Sequence, residues 1–349
     1  MCDIGQKKSA PIDISPRGIQ NILDVLPFVK QVDLSGAELF FDKGNPAGYV
    51  QRILDEGIKH PHLRFGGLTN GTLIDDERAR LVVDKFSYLN VSIDTPDPEK
   101  YRSIRVGSNI DLIRRNLARI RDNKRTAGLK ASDPPVIGFS SIIMERTYTD
   151  VLQMLDFALE FGARQVQFLA PWPDSIPESE DILLDREKVE HFLFLKKEAE
   201  GKARDAGVVF NDRTQNAILD NFPDLKEGVQ PEERKTFGKY PDHCRVPYEN
   251  ILITPTGDVK FCCTSRTVIG NVNLASIHSI WNSRAAQRMR RRLIKGDYGR
   301  DCFANCYTGA LLPNFLEWKE WKGWKARYQA FCRRLSWPLR RGVAARSST

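Results

Sequence analysis

Ile251-Leu252-Ile253-Thr254-Pro255-Thr256-Gly257-Asp258-Val259-Lys260-Phe261-Cys262-Cys263 reads as a β-hairpin that turns at Pro255 to Gly257 and delivers two adjacent thiols. Five of the seven cysteines gather in and around this stretch: Cys244, Cys262, Cys263, Cys302 and Cys306. Each sits beside a turn or tight loop rather than within an apolar stripe. Buried thiols that pack as small hydrophobes would not collect in Pro- and Gly-punctuated loops. Two thiolates brought by a hairpin and two by a short loop can surround one soft metal centre. Zinc and an iron–sulfur cluster both accept four thiolates, and the spacing leaves both open. No signal peptide or long apolar run is apparent, so the expected location is the cytoplasm, where disulfides are rare.

At 349 residues the chain is long enough for a large core and a second small domain. The formal net charge of +8 is concentrated near the C-terminus, where Lys319, Lys322, Lys325, Arg327, Arg333, Arg334, Arg340, Arg341 and Arg346 face Glu320 alone. The excess therefore says little about the main body, and no nucleic-acid partner is expected.

Upstream of the cysteines, helical and strand signals alternate. Ser15-Pro16 opens a helix running through Leu26. Strands are predicted over Val29–Gly36, Leu63–Thr69, Tyr88–Asp94, Val136–Met144 and Gln165–Ala170. Helices are predicted over Pro46–Lys59, Asp75–Phe86, Asp97–Arg125 with a break near Gly107, Thr149–Phe161 and Leu184–Ala206. Val208 to Asn211 is a short extended piece. Such alternation implies a parallel sheet with right-handed crossovers. After Cys306, the residues Trp318, Trp321, Trp324, Tyr328, Phe331 and Leu335 recur at three- and four-residue steps between Lys and Arg. This amphipathic helix suits either packing on the protein's own barrel or peripheral contact with an anionic membrane.

The series Cys244, Gly257 to Cys263, Ile269-Gly270-Asn271-Val272, Ser279-Ile280-Trp281-Asn282-Ser283, Cys302 and Cys306 resembles the SPASM/Twitch domain of radical S-adenosylmethionine (SAM) enzymes. The resemblance implies an auxiliary [4Fe–4S] cluster on Cys244, Cys262, Cys302 and Cys306, with Cys262 favoured over Cys263. Val32-Asp33-Leu34-Ser35-Gly36-Ala37-Glu38 is similar to the family's Gly-Gly-Glu strand end, with Ala37 in place of the second Gly. Leu68-Thr69-Asn70-Gly71 is similar to its Thr-Asn-Gly turn, Val91-Ser92-Ile93-Asp94 to its fourth-strand end, and Tyr101 to Gly107 to the segment that follows. These imply that Glu38 binds the SAM amino group, Ser92 and Asp94 face the ribose, and Arg105 supports the carboxylate.

The implied fold is α/β: a partial (β/α)6 radical SAM barrel lacking its first strand, then a small Cys-rich SPASM/Twitch domain and the C-terminal amphipathic helix. Expected boundaries are 1–206 for the barrel, 207–238 for a linker, 239–311 for the cluster domain and 312–349 for the basic, aromatic tail. Only Cys2 matches the family's Cys-x3-Cys-x2-Cys loop, so the sequence reads as shortened within that motif. The implied activity is reductive cleavage of SAM to a 5′-deoxyadenosyl radical, which takes hydrogen from a peptide or small-molecule substrate, with flavodoxin or ferredoxin as electron donor. Trp172 and Asp174, after the fifth strand, are candidates for substrate contact. The alternative is a non-catalytic iron–sulfur or zinc protein acting in binding or electron transfer.

Overall fold

A computed structural model describes residues 14–35, 38–41, 48–170, 185–214, 222, 225, 244, 246–263, 265–299 and 301–302. Its centre is a six-stranded parallel sheet in chain order: β1 Gln31–Leu34, β2 Arg64–Thr69, β3 Phe86–Ser92, β4 Val136–Ile142, β5 Gln165–Leu169 and β6 Val209–Arg213. The crossovers are α2 Tyr49–Ile58, α3 Asp76–Lys85, the pair α4 Pro98–Ile104 and α5 Ile110–Thr126, α6 Val151–Glu160, and α7 Arg186–Asp205. Helix α1, Pro16–Leu23, precedes the sheet, with Ser15 as N-cap and Pro16 at the first helical position. The predicted break near Gly107 is present: α4 ends at Ile104, Gly107 adopts φ +81°, and Asn109 caps α5.

The sheet continues past the five predicted strands. β6 pairs with β5 from Gln165↔Val209 to Leu169↔Arg213 and lies in the stretch expected as linker. The extended piece expected at Val208 to Asn211 is this strand, but its membership in the sheet is not evident from the sequence, because Asn211, Asp212 and Arg213 are polar and Val209 is exposed. A polar edge strand carries little of the periodic signal that identifies a central one.

Alternation along the strands creates two unlike faces. Phe65, Leu89, Val91, Phe139, Val166 and Phe168 are almost wholly buried and form the core beneath the helices. The opposite face carries polar side chains in registered rows. Ser92 pairs with Ser140, Ser140 with Gln167 and Gln167 with Asn211, so four neighbouring strands place an uncharged polar group in one row. Just below, Asn90 donates from Nδ2 to Ser140 Oγ at 2.6 Å. Gly66 is required on this face, since a Cβ there would collide with the Tyr88 ring and the Asp33 carboxylate. Tyr88 lies across that gap, and burial, followed by the Asp33 charge, pushes its phenol upward.

A second, three-stranded sheet joins β7 Leu252–Ile253, β8 Asp258–Lys260 and β9 Gly270–Asn271. Gly257, at φ +82°, donates its N–H to the Thr254 carbonyl at 2.9 Å, closing the turn that the sequence predicts. The helices α8 Val246–Glu249, α9 Ile277–Trp281 and α10 Arg284–Ile294 are also present, with short 3-10 turns at Leu26–Phe28 and Tyr148–Asp150.

The chain divides into two compact units. The first holds the described residues up to 230 with Ile253–Val259 and Gly270–Ser283. The second holds the described residues of 231–252, Lys260–Ile269 and those from Arg284 onward. Within the first unit, α1 is stitched to the loop after β9. The Ser15 N–H donates to Asn273 Oδ1 at 2.8 Å, and Asn21 Nδ2 donates to the Val272 carbonyl at 2.7 Å.

Candidate functional site

At the C-terminal ends of β1 to β4 the first unit assembles opposite charges. Glu38 follows β1 and receives the Thr69 hydroxyl and, at 2.7 Å, the Asn70 N–H. Burial raises its carboxyl above the usual value, while these hydrogen bonds act in the other direction. The donors come from the turn after β2, which is itself braced. Gly71 N–H donates to Thr69 Oγ1 at 3.0 Å, and Thr72 N–H to Asn70 Oδ1 at 2.8 Å. From α5, buried Asn116 donates to the carbonyls of Gly71 at 2.8 Å and Thr72 at 3.1 Å.

Sequence reasoning did not identify Asn116. Its signal is an amide on a stripe otherwise formed by Ile110, Ile113, Leu117 and Ile120. A buried amide needs partners, and these are the turn carbonyls.

Asp94 follows β3 with a side chain wholly removed from solvent. Arg105 Nε donates to its Oδ2 at 2.7 Å, and the Ile142 N–H to its Oδ1 at 3.2 Å. Asp94 therefore sits beneath Arg105 and fixes that guanidinium, which is 24% exposed. Tyr101 is buried close by: burial raises its phenol, and the charges of Arg105, Asp94 and Glu38 all act on it. The Glu38 carboxylate and the Arg105 guanidinium are groups of the kinds that take the ammonium and the carboxylate of an α-amino acid. The donor set thus fits the methionine end of SAM. Ser92 is partly exposed and heads the polar row described above.

In the second unit, Ser265 forms an isolated antiparallel bridge with Cys302, and its N–H donates to the Cys262 carbonyl at 3.2 Å. This pairing brings the turns of Cys262 and Cys302 together. Asp301, 1% exposed, holds the second turn in place. It accepts from Arg292 Nε at 2.7 Å, Arg292 Nη2 at 2.6 Å and Thr267 Oγ1 at 2.6 Å. Asp301 and Arg292 were not singled out in the sequence, where they look like ordinary surface charges.

Cys302 is buried, Cys244 and Cys262 are partly exposed, and Cys263 is exposed. Two thiols on bridged turns fit a thiolate-bound centre, although among the described residues no three metal-ligating side chains converge. Cys2, Cys306, Gly36, Ala37, Trp172, Asp174 and the helix from Trp318 lie outside the described residues. Among those described, no helix is long and apolar enough to cross a membrane.

Comparisons with known proteins match both parts of the chain. A family profile described as "Radical SAM superfamily" matches residues 1–158, and one described as "SPASM: Iron-sulfur cluster-binding domain" matches residues 244–307. A probable GTP 3′,8-cyclase of Methanococcus maripaludis is 26% identical over 233 residues, covering 64% of this chain and 67% of that protein. A GTP 3′,8-cyclase of Hydrogenovibrio crunogenus is 32% identical over 147 residues, covering 42% of this chain and 40% of its own length.

Among solved structures, Streptococcus suis SuiB bound to S-adenosylmethionine aligns with TM-score 0.51 and 13% identity, over 78% of this chain and 60% of SuiB. anSMEcpe with bound AdoMet aligns with TM-score 0.51 and 15% identity, over 84% and 80%. These two similarities concern the fold. The matched domains imply [4Fe–4S] and SAM as cofactors. The chain carries a radical SAM superfamily domain over residues 1–158 and a SPASM iron–sulfur cluster-binding domain over residues 244–307.

Proposed function

We propose that this protein is a radical enzyme that binds SAM through Glu38 and Arg105 and takes hydrogen from a substrate laid over the polar face of its sheet. The observation carrying this reading is that the strand ends of one sheet hold both a half-buried carboxylate fixed by the turn after β2 and a guanidinium anchored on Asp94 after β3. The chemistry that the bound cofactors supply is one-electron cleavage of SAM to a carbon radical able to abstract hydrogen. Glu38 receives the ammonium, Arg105 the carboxylate, and Asp94 acts through Arg105 as a positioning residue. Ser92, at the head of the polar row, is placed for a ribose hydroxyl. Cys244, Cys262, Cys302 and Cys306 would hold the auxiliary cluster, and Cys2 would be a ligand of the SAM-binding one.

The substrate reading rests on the row Ser92, Ser140, Gln167 and Asn211. Hydroxyls and amides without a formal charge suit a neutral hydrogen-bonding group, as found in a peptide backbone or the edge of a nucleobase. The curated relatives bear the name of a nucleotide cyclase, and SuiB has been crystallised with a precursor peptide, so each kind has support among related proteins.

Anaerobic incubation of the iron-loaded protein with SAM, dithionite and either GTP or a peptide library tests the proposal. Formation of 5′-deoxyadenosine supports it. SAM binding without 5′-deoxyadenosine leaves the non-catalytic iron–sulfur reading in its place.

A further inference from the structure

Helix α10 has two sharply different sides. Ala286, Met289, Arg290 and Leu293 are buried, while Arg284, Arg288, Arg291 and Lys295 are exposed. Steps of four, three and four residues put these four cations on one stripe. No acidic residue occurs between Ser283 and Lys295. None of the four cations forms an ion pair with a described residue. Elsewhere on the surface, Arg114 pairs with Glu160 at 3.0 Å and Arg186 with Glu190 at 2.9 Å. Like charges at such spacing repel one another along a helix, so the stripe is unfavourable to its own helix. Ile294, 60% exposed, flanks it.

The same helix is fastened to the cysteine turns. Arg292 holds both carboxylate oxygens of Asp301, whose neighbour Cys302 bridges to Ser265 beside the Cys262 turn. A partner seated on the stripe would therefore contact the same helix that holds the Cys302 turn.

We propose that the Arg284, Arg288, Arg291 and Lys295 face docks a small acidic one-electron carrier protein that reduces the cluster of the cysteine-bearing unit. The inference rests on the radical reading above, which requires an external electron. One electron leaves the carrier and enters the cluster, so the carrier is oxidised and the cluster reduced by one, with no bond made or broken. Four cations without an ion pair among the described residues attract a carrier of opposite sign over several ångströms and speed encounter at low salt. A protein partner is favoured over nucleic acid or membrane by Ile294. Phosphates gain nothing from an apolar contact, and a membrane face needs more than one such residue.

The test uses the full iron-loaded chain and an oxidised bacterial flavodoxin, with affinity measured by calorimetry at low salt and at about 0.2 M salt. Wild type is expected to bind, with affinity falling as salt rises. Arg288→Glu/Arg291→Glu should weaken binding by about tenfold or more, and Arg288→Lys/Arg291→Lys should bind like wild type. Dithionite should reduce the cluster of the cysteine-bearing unit equally in all three proteins, while its reduction by reduced flavodoxin, followed by the bleaching of its visible absorbance, should fail only in the Glu variant. No binding by wild type, equal binding by wild type and the Glu variant, or displacement of flavodoxin by duplex DNA or anionic vesicles at similar charge would overturn the docking proposal. Absence of dithionite-driven SAM cleavage in every protein would instead overturn the radical reading, while the calorimetry would still decide the docking face.

Discussion

Arg105 Nε donates to Asp94 Oδ2 at 2.7 Å, and the carboxylate that receives it is wholly buried at the end of β3. Asp94 sits where the chain leaves the sheet, and Arg105 where α4 ends. Their bond turns an otherwise mobile guanidinium into a fixed part of the site.

Asp94→Asn should disturb both stability and binding. The amide still accepts from the Ile142 N–H but presents a weaker partner to Arg105. Breaking a buried pair costs about 3–5 kcal/mol when one charge is deleted, and Arg105 is partly exposed, so a loss of about 1–3 kcal/mol is expected here. A double-mutant cycle with Arg105→Ala should show strong coupling in SAM affinity. Additive losses would separate the two residues.

Glu38 sets a pH dependence of opposite sign for folding and for binding. Burial raises its carboxyl above 4.5, so the folded protein keeps this proton where the unfolded chain has released it. The associated stability is present below the unfolded value and is lost as pH rises through the folded one. The ammonium of SAM needs the carboxylate, so affinity should rise with pH across the same window. Glu38→Gln should flatten both trends, and an unchanged pH profile in that variant would place the titrating group elsewhere.

Asn116→Leu should weaken SAM binding without removing any ligand contact. The change leaves the Gly71 and Thr72 carbonyls without their α5 donor, at about 1–3 kcal/mol. Hydrogen exchange over residues 69–72 should quicken while the rest of β2 stays protected. Unchanged exchange there would mean that the turn holds itself.

Asp301→Asn should loosen the cluster centre selectively. It weakens the two-pronged Arg292 contact and hence the Cys302 turn. Iron retained after gel filtration should fall while SAM affinity of the barrel stays within about twofold. Full retention would show that the bridge between Ser265 and Cys302 suffices.

The parallel sheet was legible because Leu63–Thr69, Tyr88–Asp94 and Val136–Met144 are short strand-length stretches of spaced apolar residues between amphipathic helices. Glu38, Thr69 to Gly71, Asp94 and Arg105 could be picked out through their order along the chain. The depth of Asp94 could not, because burial beneath Arg105 depends on a crossover that no local pattern encodes. Val208 to Asn211 could be read as extended, but the polar residues of β6 concealed that it joins the sheet, and Asn116, Arg292 and Asp301 have the ordinary look of amides and charges on helices and loops. Each of these is defined by a partner distant in sequence or one turn away, and pairing leaves no trace in composition.

Anaerobic calorimetry of SAM binding to wild type, Glu38→Gln and Arg105→Ala, with fold checked by circular dichroism, tests the central claim most directly. The account predicts that wild type binds and that each variant, still folded, loses about 10- to 100-fold in affinity, the size of a charge-assisted hydrogen bond. Equal affinity in all three proteins would contradict it.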